Sequence, residues 1–231
     1  MRHIRLLIFD LDYLVFDCAL LKLRALRQGL ASLADDLPQS LPLPDAADIE
    51  EAYRNHGFQW IRYLEDELGE QKCELLRKRF SLNANRLLES GMGRVFPGLE
   101  SFIASCREAG VSAALGADAS RDYLMAVSDR HQLDALFQIS LSTEEFGLGG
   151  AAEMLDDIMH QVEVNPSETL VLGTRPAFFQ AAQDLDAQSI ACGWGIQRHE
   201  SLSEAQFTAA TLPQLESAVE EADSQACRNW A

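Results

Sequence analysis

Positive charge is scarce in this chain: 19 Lys and Arg face 36 Asp and Glu, a formal charge of −17 at pH 7. A surface of that sign repels phosphate backbones and anionic lipid, so no nucleic acid and no membrane surface is expected as a partner. Paired cysteines are lacking as well. Cys18, Cys73, Cys106, Cys192 and Cys227 are odd in number and widely spaced, with no C-x-x-C. Neither a disulfide framework nor a zinc site follows from that pattern. His3, His56, His131, His160 and His199 share no metal-ligand spacing either. Long apolar runs are missing too: the run from Leu6 to Phe9 is interrupted by Asp10 and Asp12, too soon for a signal peptide or a membrane span. The expectation is a cytoplasmic protein with buried or incidental thiols.

What is present is ordinary globular material, 47% hydrophobic and 24% charged over 231 residues. That length suits one large domain or one domain with a sizeable insertion. Ile4 to Phe9 is short, apolar and followed by acids, the pattern of a strand buried on both faces of a parallel sheet. From Leu20 to Ser90 the character turns helical. Leu20, Leu23, Leu26 and Leu30 recur at helix period, Pro38, Pro42 and Pro44 punctuate a connection, and helices are predicted near 48–68 and 70–88. After Pro97-Gly98 strands and helices alternate, with strands predicted near 111–115, 137–141, 169–172 and 189–192. Helices are predicted up to Ala109 and near 120–131, 151–162, 176–185 and 213–222. Such alternation predicts a doubly wound parallel α/β sheet. The predicted organisation is an α/β core of residues 1–17 and 92–231 with an all-helical domain, 18–91, inserted after the first strand.

In an open parallel sheet, ligands bind beyond the carboxyl ends of the strands, which places Asp10 and Asp12 at the functional edge. Carboxylates this close repel unless a cation or a proton intervenes. The bland alternative is a pair of solvated loop acids.

Leu7-Ile8-Phe9-Asp10-Leu11-Asp12 with Val15-Phe16-Asp17 resembles the opening of the haloacid dehalogenase (HAD) superfamily, in its helical-cap branch that includes phosphoglycolate phosphatase. Val95-Phe96-Pro97-Gly98-Leu99, Leu172-Gly173, Pro176, Ala181-Ala182 and Trp194-Gly195 extend the resemblance over nearly the whole chain. It implies a Rossmann-like core with a helical cap. It also implies that Asp10 is the nucleophile, forming an aspartyl-phosphate, and Asp12 the general acid and base. Magnesium would bridge the first acid, the phosphate and a further acid late in the chain.

The departures from the family fall at catalytic positions. Tyr13-Leu14 stands where the family has Gly-Thr, and a tyrosine there crowds the phosphate. Ala117, followed by Asp118, replaces the phosphate-binding Ser or Thr, with Ser120 the nearest hydroxyl. Gly147-Leu148-Gly149-Gly150 replaces the segment carrying the lysine, so Leu148 stands for the cation, and the glycine turn is expected to be a flexible connection. Thr174 and Phe178 replace the two metal acids of Gly-Asp-x-x-x-Asp. Glu144, Glu145 and Asp184 are the acids near enough in sequence to be weighed as replacements.

Phosphoryl transfer depends on positioning and charge stabilisation, and these losses remove the stabilisation. The expected function is a phosphoglycolate-phosphatase-like pseudoenzyme, with no cofactor, that binds a small-molecule ligand or an unidentified protein. The alternative is an active Mg2+-dependent phosphatase of small phosphate esters, with Asp10 as nucleophile and Asp10 and Asp12 as metal ligands. A metal-free dehalogenase ranks last, because it too needs a lysine and a hydroxyl. Arg175, Tyr13 and Asp118 are the candidate ligand-binding residues, and Arg175 is expected near Asp10 and Asp12, balancing their charge. The cap aromatics Tyr53, Phe58, Trp60 and Tyr63 could face a substrate, but at helical spacing they read as core or an intersubunit surface. The sequence does not specify an oligomeric state.

Overall fold

The computed structural model describes residues 3–33, 69–194 and 205–229, apart from the side chains of 148, 149 and 229. The helix expected near 48–68, the four cap aromatics, the proline connection, His56, His199 and Gly195 lie outside the described residues. The chain forms two compact units: Met1–Asp17 with Arg94–Ala231, and Cys18–Gly93.

The first unit is built on a six-stranded parallel sheet. In chain order its strands are β1 (Leu6–Asp10), β4 (Ser112–Ala117), β5 (Ile139–Ser142), β6 (Thr169–Gly173), β7 (Gln188–Cys192) and β8 (Phe207–Ala209). Their spatial order is β5-β4-β1-β6-β7-β8, which puts β1 in the interior. Every residue of β1 is buried, the apolar run Leu6–Phe9 and Asp10 at its end alike. Two short strands, β2 (Phe16–Asp17) and β3 (Arg94–Val95), pair antiparallel where the chain leaves and re-enters this unit.

Helices cover both faces of the sheet. Leu6 and Ile8 of β1 pack with Met154, Leu155 and Ile158 of α5 (Gly150–Val162) and with Phe178 and Ala182 of α6 (Pro176–Asp184). On the opposite face Phe9 meets Phe102 of α3 (Leu99–Glu108) and Phe137, with ring centroids 6.3 and 5.5 Å apart. This two-sided burial follows from the period of two along β1. Helix α4 (Arg121–His131) follows β4, with the Ser120 hydroxyl capping its first turn at 3.3 Å from the Tyr123 N–H. The last helix, α7 (Leu212–Asn229), runs seven residues beyond the expected end at Ala222, to Asn229. The buried Asp223 explains the extension: it accepts the backbone N–H groups of His3 and Ile4, each at 2.9 Å, fastening the start of β1.

The described part of the second unit is helical. Helix α1 (Ala19–Ala31) packs on α2 (Glu70–Glu89), and Gly29 lets the two approach closely: a Cβ there would stand 3.1 Å from Leu76 Cδ1.

Candidate functional site

The register fixes the site. Asp10 at the end of β1 pairs with Gly116 of β4, and Phe9 with Leu172 of β6. The chain therefore leaves β4 on one side of Asp10 and β6 on the other. Asp118 follows β4, and Thr174 and Arg175 follow β6. Pro176, the first residue of α6, restricts the residue before it, and Arg175 is accordingly extended (φ −130°, ψ 141°).

From that position Arg175 reaches over the end of β1. Its Nε and Nη2 donate to Asp10 Oδ2 and Oδ1 at 3.0 and 2.6 Å, a bidentate fork, while Nη1 donates to Asp118 Oδ2 at 2.7 Å. Asp10 is 0% exposed, the Arg175 side chain 17% and the Asp118 side chain 52%. The guanidinium carbon also lies 5.2 Å from the centroid of the buried Phe178 ring. The Thr143 hydroxyl donates to the other Asp118 oxygen at 3.0 Å.

Arg175 thus balances Asp10, with Asp118 as its second hydrogen-bonded anchor, and the charge of Asp12 also acts on the guanidinium. Asp12, also buried, accepts the Tyr123 hydroxyl at 3.2 Å. Sequence reasoning missed Tyr123; its one available signal was a place in the first turn of the helix after β4. The Thr174 hydroxyl lies 3.4 Å from Asp10 Oδ2 and 3.3 Å from the Asp12 carbonyl oxygen. It has one proton for two acceptors.

Burial pushes the Asp10 carboxyl above its ordinary value, and the opposing pull of Arg175 does not cancel that effect. For Arg175, burial works against the charge, but Asp10 and Asp118 outweigh it and hold the guanidinium firmly protonated. Buried Cys192 sits in the same field, its thiol pushed up by burial and by Asp10.

Tyr13 is buried and sits at φ 65°, the left-handed region that favours glycine. The backbone there is the one a glycine would adopt freely; this chain builds the same turn, closed by Tyr13 N–H donating to the Phe16 carbonyl at 2.9 Å, with a tyrosine. Ala117 is fully buried and brings no hydroxyl. The nearby Ser120 hydroxyl is occupied as a helix cap. The side chain of Leu148 lies outside the described residues. Its turn, expected to be a flexible connection, is a 3-10 segment (Thr143–Gly149) closed by a Ser142–Glu145 capping box, with Gly147 at φ 60° and Gly150 at φ 56°.

The substitute acids are committed elsewhere. Glu144 accepts the Arg121 N–H at 2.8 Å, Glu145 accepts the Ser142 N–H at 2.9 Å and pairs with the Arg121 side chain, and Asp184 accepts from Gln180 at 2.8 Å. Phe178 is turned into the core, where a Cβ on Gly116 would stand 3.3 Å from its ring.

The residues present do not fit the magnesium ion that the family resemblance implies. Magnesium takes oxygen ligands in near-octahedral geometry. Here both oxygens of Asp10 accept from a guanidinium, and Thr174 and Phe178, which the resemblance matches to the two later acids, offer a hydroxyl and a buried phenyl ring. Among the described residues no three His, Cys, Asp or Glu side chains cluster so as to hold a metal, and no helix is long and apolar enough to cross a membrane.

Solved structures share this architecture. A predicted phosphoglycolate phosphatase from Haemophilus somnus matches with a TM-score of 0.73 at 13% identity, covering 94% of this chain and 98% of that one. A haloacid dehalogenase-like family hydrolase from Streptococcus pneumoniae matches with a TM-score of 0.73 at 14% identity, covering 95% and 99%. CbbY from Rhodobacter sphaeroides, solved in complex with phosphate, matches with a TM-score of 0.69 at 16% identity, covering 92% and 99%. At these identities the likeness is one of fold. No curated protein matches the sequence. The model of the haloacid dehalogenase-like hydrolases matches residues 7–192, and with the parallel sheet and the paired acids at the end of β1, the chain belongs to that family.

Proposed function

We propose that this haloacid dehalogenase-like protein has lost most metal-dependent phosphatase activity and acts by binding a small molecule or another protein. One observation carries the reading: both carboxylate oxygens of Asp10 are engaged by Arg175, at 3.0 and 2.6 Å. An aspartate nucleophile attacks phosphorus with a carboxylate lone pair. A bidentate guanidinium draws charge from both oxygens and holds the carboxylate in place, so the attack loses driving force and freedom. The donors that would offset the loss by stabilising the transferring phosphoryl group are replaced by Ala117 and Leu148. In this reading Asp10 and Asp12 are anchors of a charge network. Arg175, Asp118 and Tyr13 form its ligand-facing side, and the helical unit Cys18–Gly93 serves as the cap. A cytoplasmic location accords with five free cysteines.

The alternative, an active Mg2+-dependent phosphatase, draws on the retention of both Asp10 and Asp12 at the end of β1. A panel of small phosphate esters assayed in Mg2+ and in EDTA separates the two. The proposal expects the wild type to match Asp10→Asn in both conditions. Metal-stimulated turnover that Asp10→Asn abolishes would favour the alternative.

A further inference from the structure

We propose that the Arg175 guanidinium is a tethered substitute for a divalent cation, and that a latent cation site lies beneath it. The inference rests on the reading above that metal-dependent turnover is lost, and it adds what took the metal's place.

A carboxylate with no exposure, such as Asp10, needs a positive partner or a proton. Arg175 is the partner. It gathers three carboxylate oxygens around one guanidinium: Asp10 Oδ1 at 2.6 Å, Asp10 Oδ2 at 3.0 Å and Asp118 Oδ2 at 2.7 Å. Beside them the Asp12 carbonyl oxygen faces the Thr174 hydroxyl at 3.3 Å, and that hydroxyl also faces Asp10 Oδ2. The arrangement is therefore an oxygen-lined cradle filled by an organic cation that comes from the chain itself. Because this cation is covalently attached, it needs no free ion, and chelators leave it untouched.

Removing the side chain beyond Cβ leaves the oxygens and takes away the charge. Two carboxylates, a carbonyl and water form a hard oxygen set of the kind that Mg2+, Ca2+ and Mn2+ prefer. Thr174→Asp would add a third carboxylate beside Asp10 Oδ2 and the Asp12 carbonyl. With Arg175 in place, though, that carboxylate finds the cradle already filled.

Mn2+ is the probe, its free ion read by electron paramagnetic resonance during titration of four purified proteins. The wild type and Thr174→Asp are expected to leave Mn2+ free. Arg175→Ala is expected to take up one equivalent with a Kd of about 1 mM or below, the range of weak oxygen sites, and Thr174→Asp/Arg175→Ala to bind about tenfold more tightly as ligand charge rises. Asp10→Asn added to either should abolish uptake. If a variant lacking Arg175 does not fold in EDTA, Mn2+ present during refolding should restore its circular dichroism, and Arg175→Gln, which keeps the length and loses the charge, gives a second protein to titrate. The proposal is overturned if no Arg175-lacking variant binds or is rescued by Mn2+, or if Thr174→Asp binds as tightly as the double variant. The functional reading fails on a different readout, metal-stimulated ester turnover by the wild type.

Discussion

The Tyr123 hydroxyl donates to Asp12 Oδ1 at 3.2 Å, linking the first turn of α4 to the loop after β1 across 111 positions of sequence. Both groups are buried, so the bond is made to a carboxylate shielded from water. Tyr123→Phe deletes this donor and keeps the ring. The expected cost is about 1.5–3 kcal/mol of folding stability, the range for hydrogen bonds to charged groups. Urea unfolding at neutral pH measures it, and a midpoint equal to the wild type would show that Asp12 does not depend on this bond.

Arg175 and Asp10 form a buried pair, so losing the cation alone is costly. Arg175→Ala is expected to destabilise by about 3–5 kcal/mol at neutral pH, and a cycle with Asp10→Asn to show coupling of about 0.5–3 kcal/mol. Additive single changes would mean that the pair contributes nothing.

The same pair has a pH signature. Burial already raises the Asp10 carboxyl, and Arg175 is the main force lowering it. Without Arg175 the folded-state value moves further up. An acid raised in the folded state contributes stability that is present below its unfolded value and lost as pH rises through its folded value. The stability gap between wild type and Arg175→Ala should therefore widen as pH rises above the ordinary carboxylate range and through the folded-state value of Asp10. A gap independent of pH would place the effect in packing instead of charge.

Phe178 stands at the position of a metal acid in the family resemblance, yet its side chain is core. Phe178→Ala should cost about 3–5 kcal/mol, as other buried phenylalanine truncations do. Phe178→Asp should cost at least as much, because it buries a carboxylate among Ile8, Met154 and Ala182. Thermal melts of the two variants decide this, and an Asp variant as stable as the wild type would contradict the placement.

Thiol reactivity follows burial. Cys18, Cys73, Cys106 and Cys192 are buried, the Cys106 thiol is pushed up to about 11 by burial, and Cys227 is half-buried. Thiolate is the reactive form. Under native conditions Cys227 should react first with a disulfide reagent and the other four only on unfolding. Rapid native modification of Cys192, read by peptide mass, would contradict the burial of the sheet end.

Much of the core was legible because its signals are local. The apolar run of β1 ending in two acids, and the alternation after Pro97, mark a parallel sheet with its functional edge at Asp10. Ala117, Thr174 and Phe178 are singled out only by the resemblance to the family pattern, while the place of Arg175 beside Asp10 followed from the need to balance neighbouring carboxylates with a cation. What escaped depends on contacts distant in sequence. Strand β8 has three residues and no period of its own, existing because β7 offers it a ladder through Ile190, Ala191 and Cys192. The β2–β3 pair is two residues on each side. Asp118 as the second anchor of Arg175 required knowing that β4 and β6 flank β1, which fixes the span the guanidinium must bridge. Tyr13 was noticed for its bulk, while its left-handed backbone is a property of the turn.

The most direct test of the account is a calorimetric titration of Mg2+ into the metal-stripped wild-type protein. With Arg175 on both oxygens of Asp10, the account predicts no saturable heat and no change in melting temperature between Mg2+ and EDTA. A stoichiometric Mg2+ site that disappears in Asp10→Asn would contradict it, because the ion would then hold the place assigned to the guanidinium.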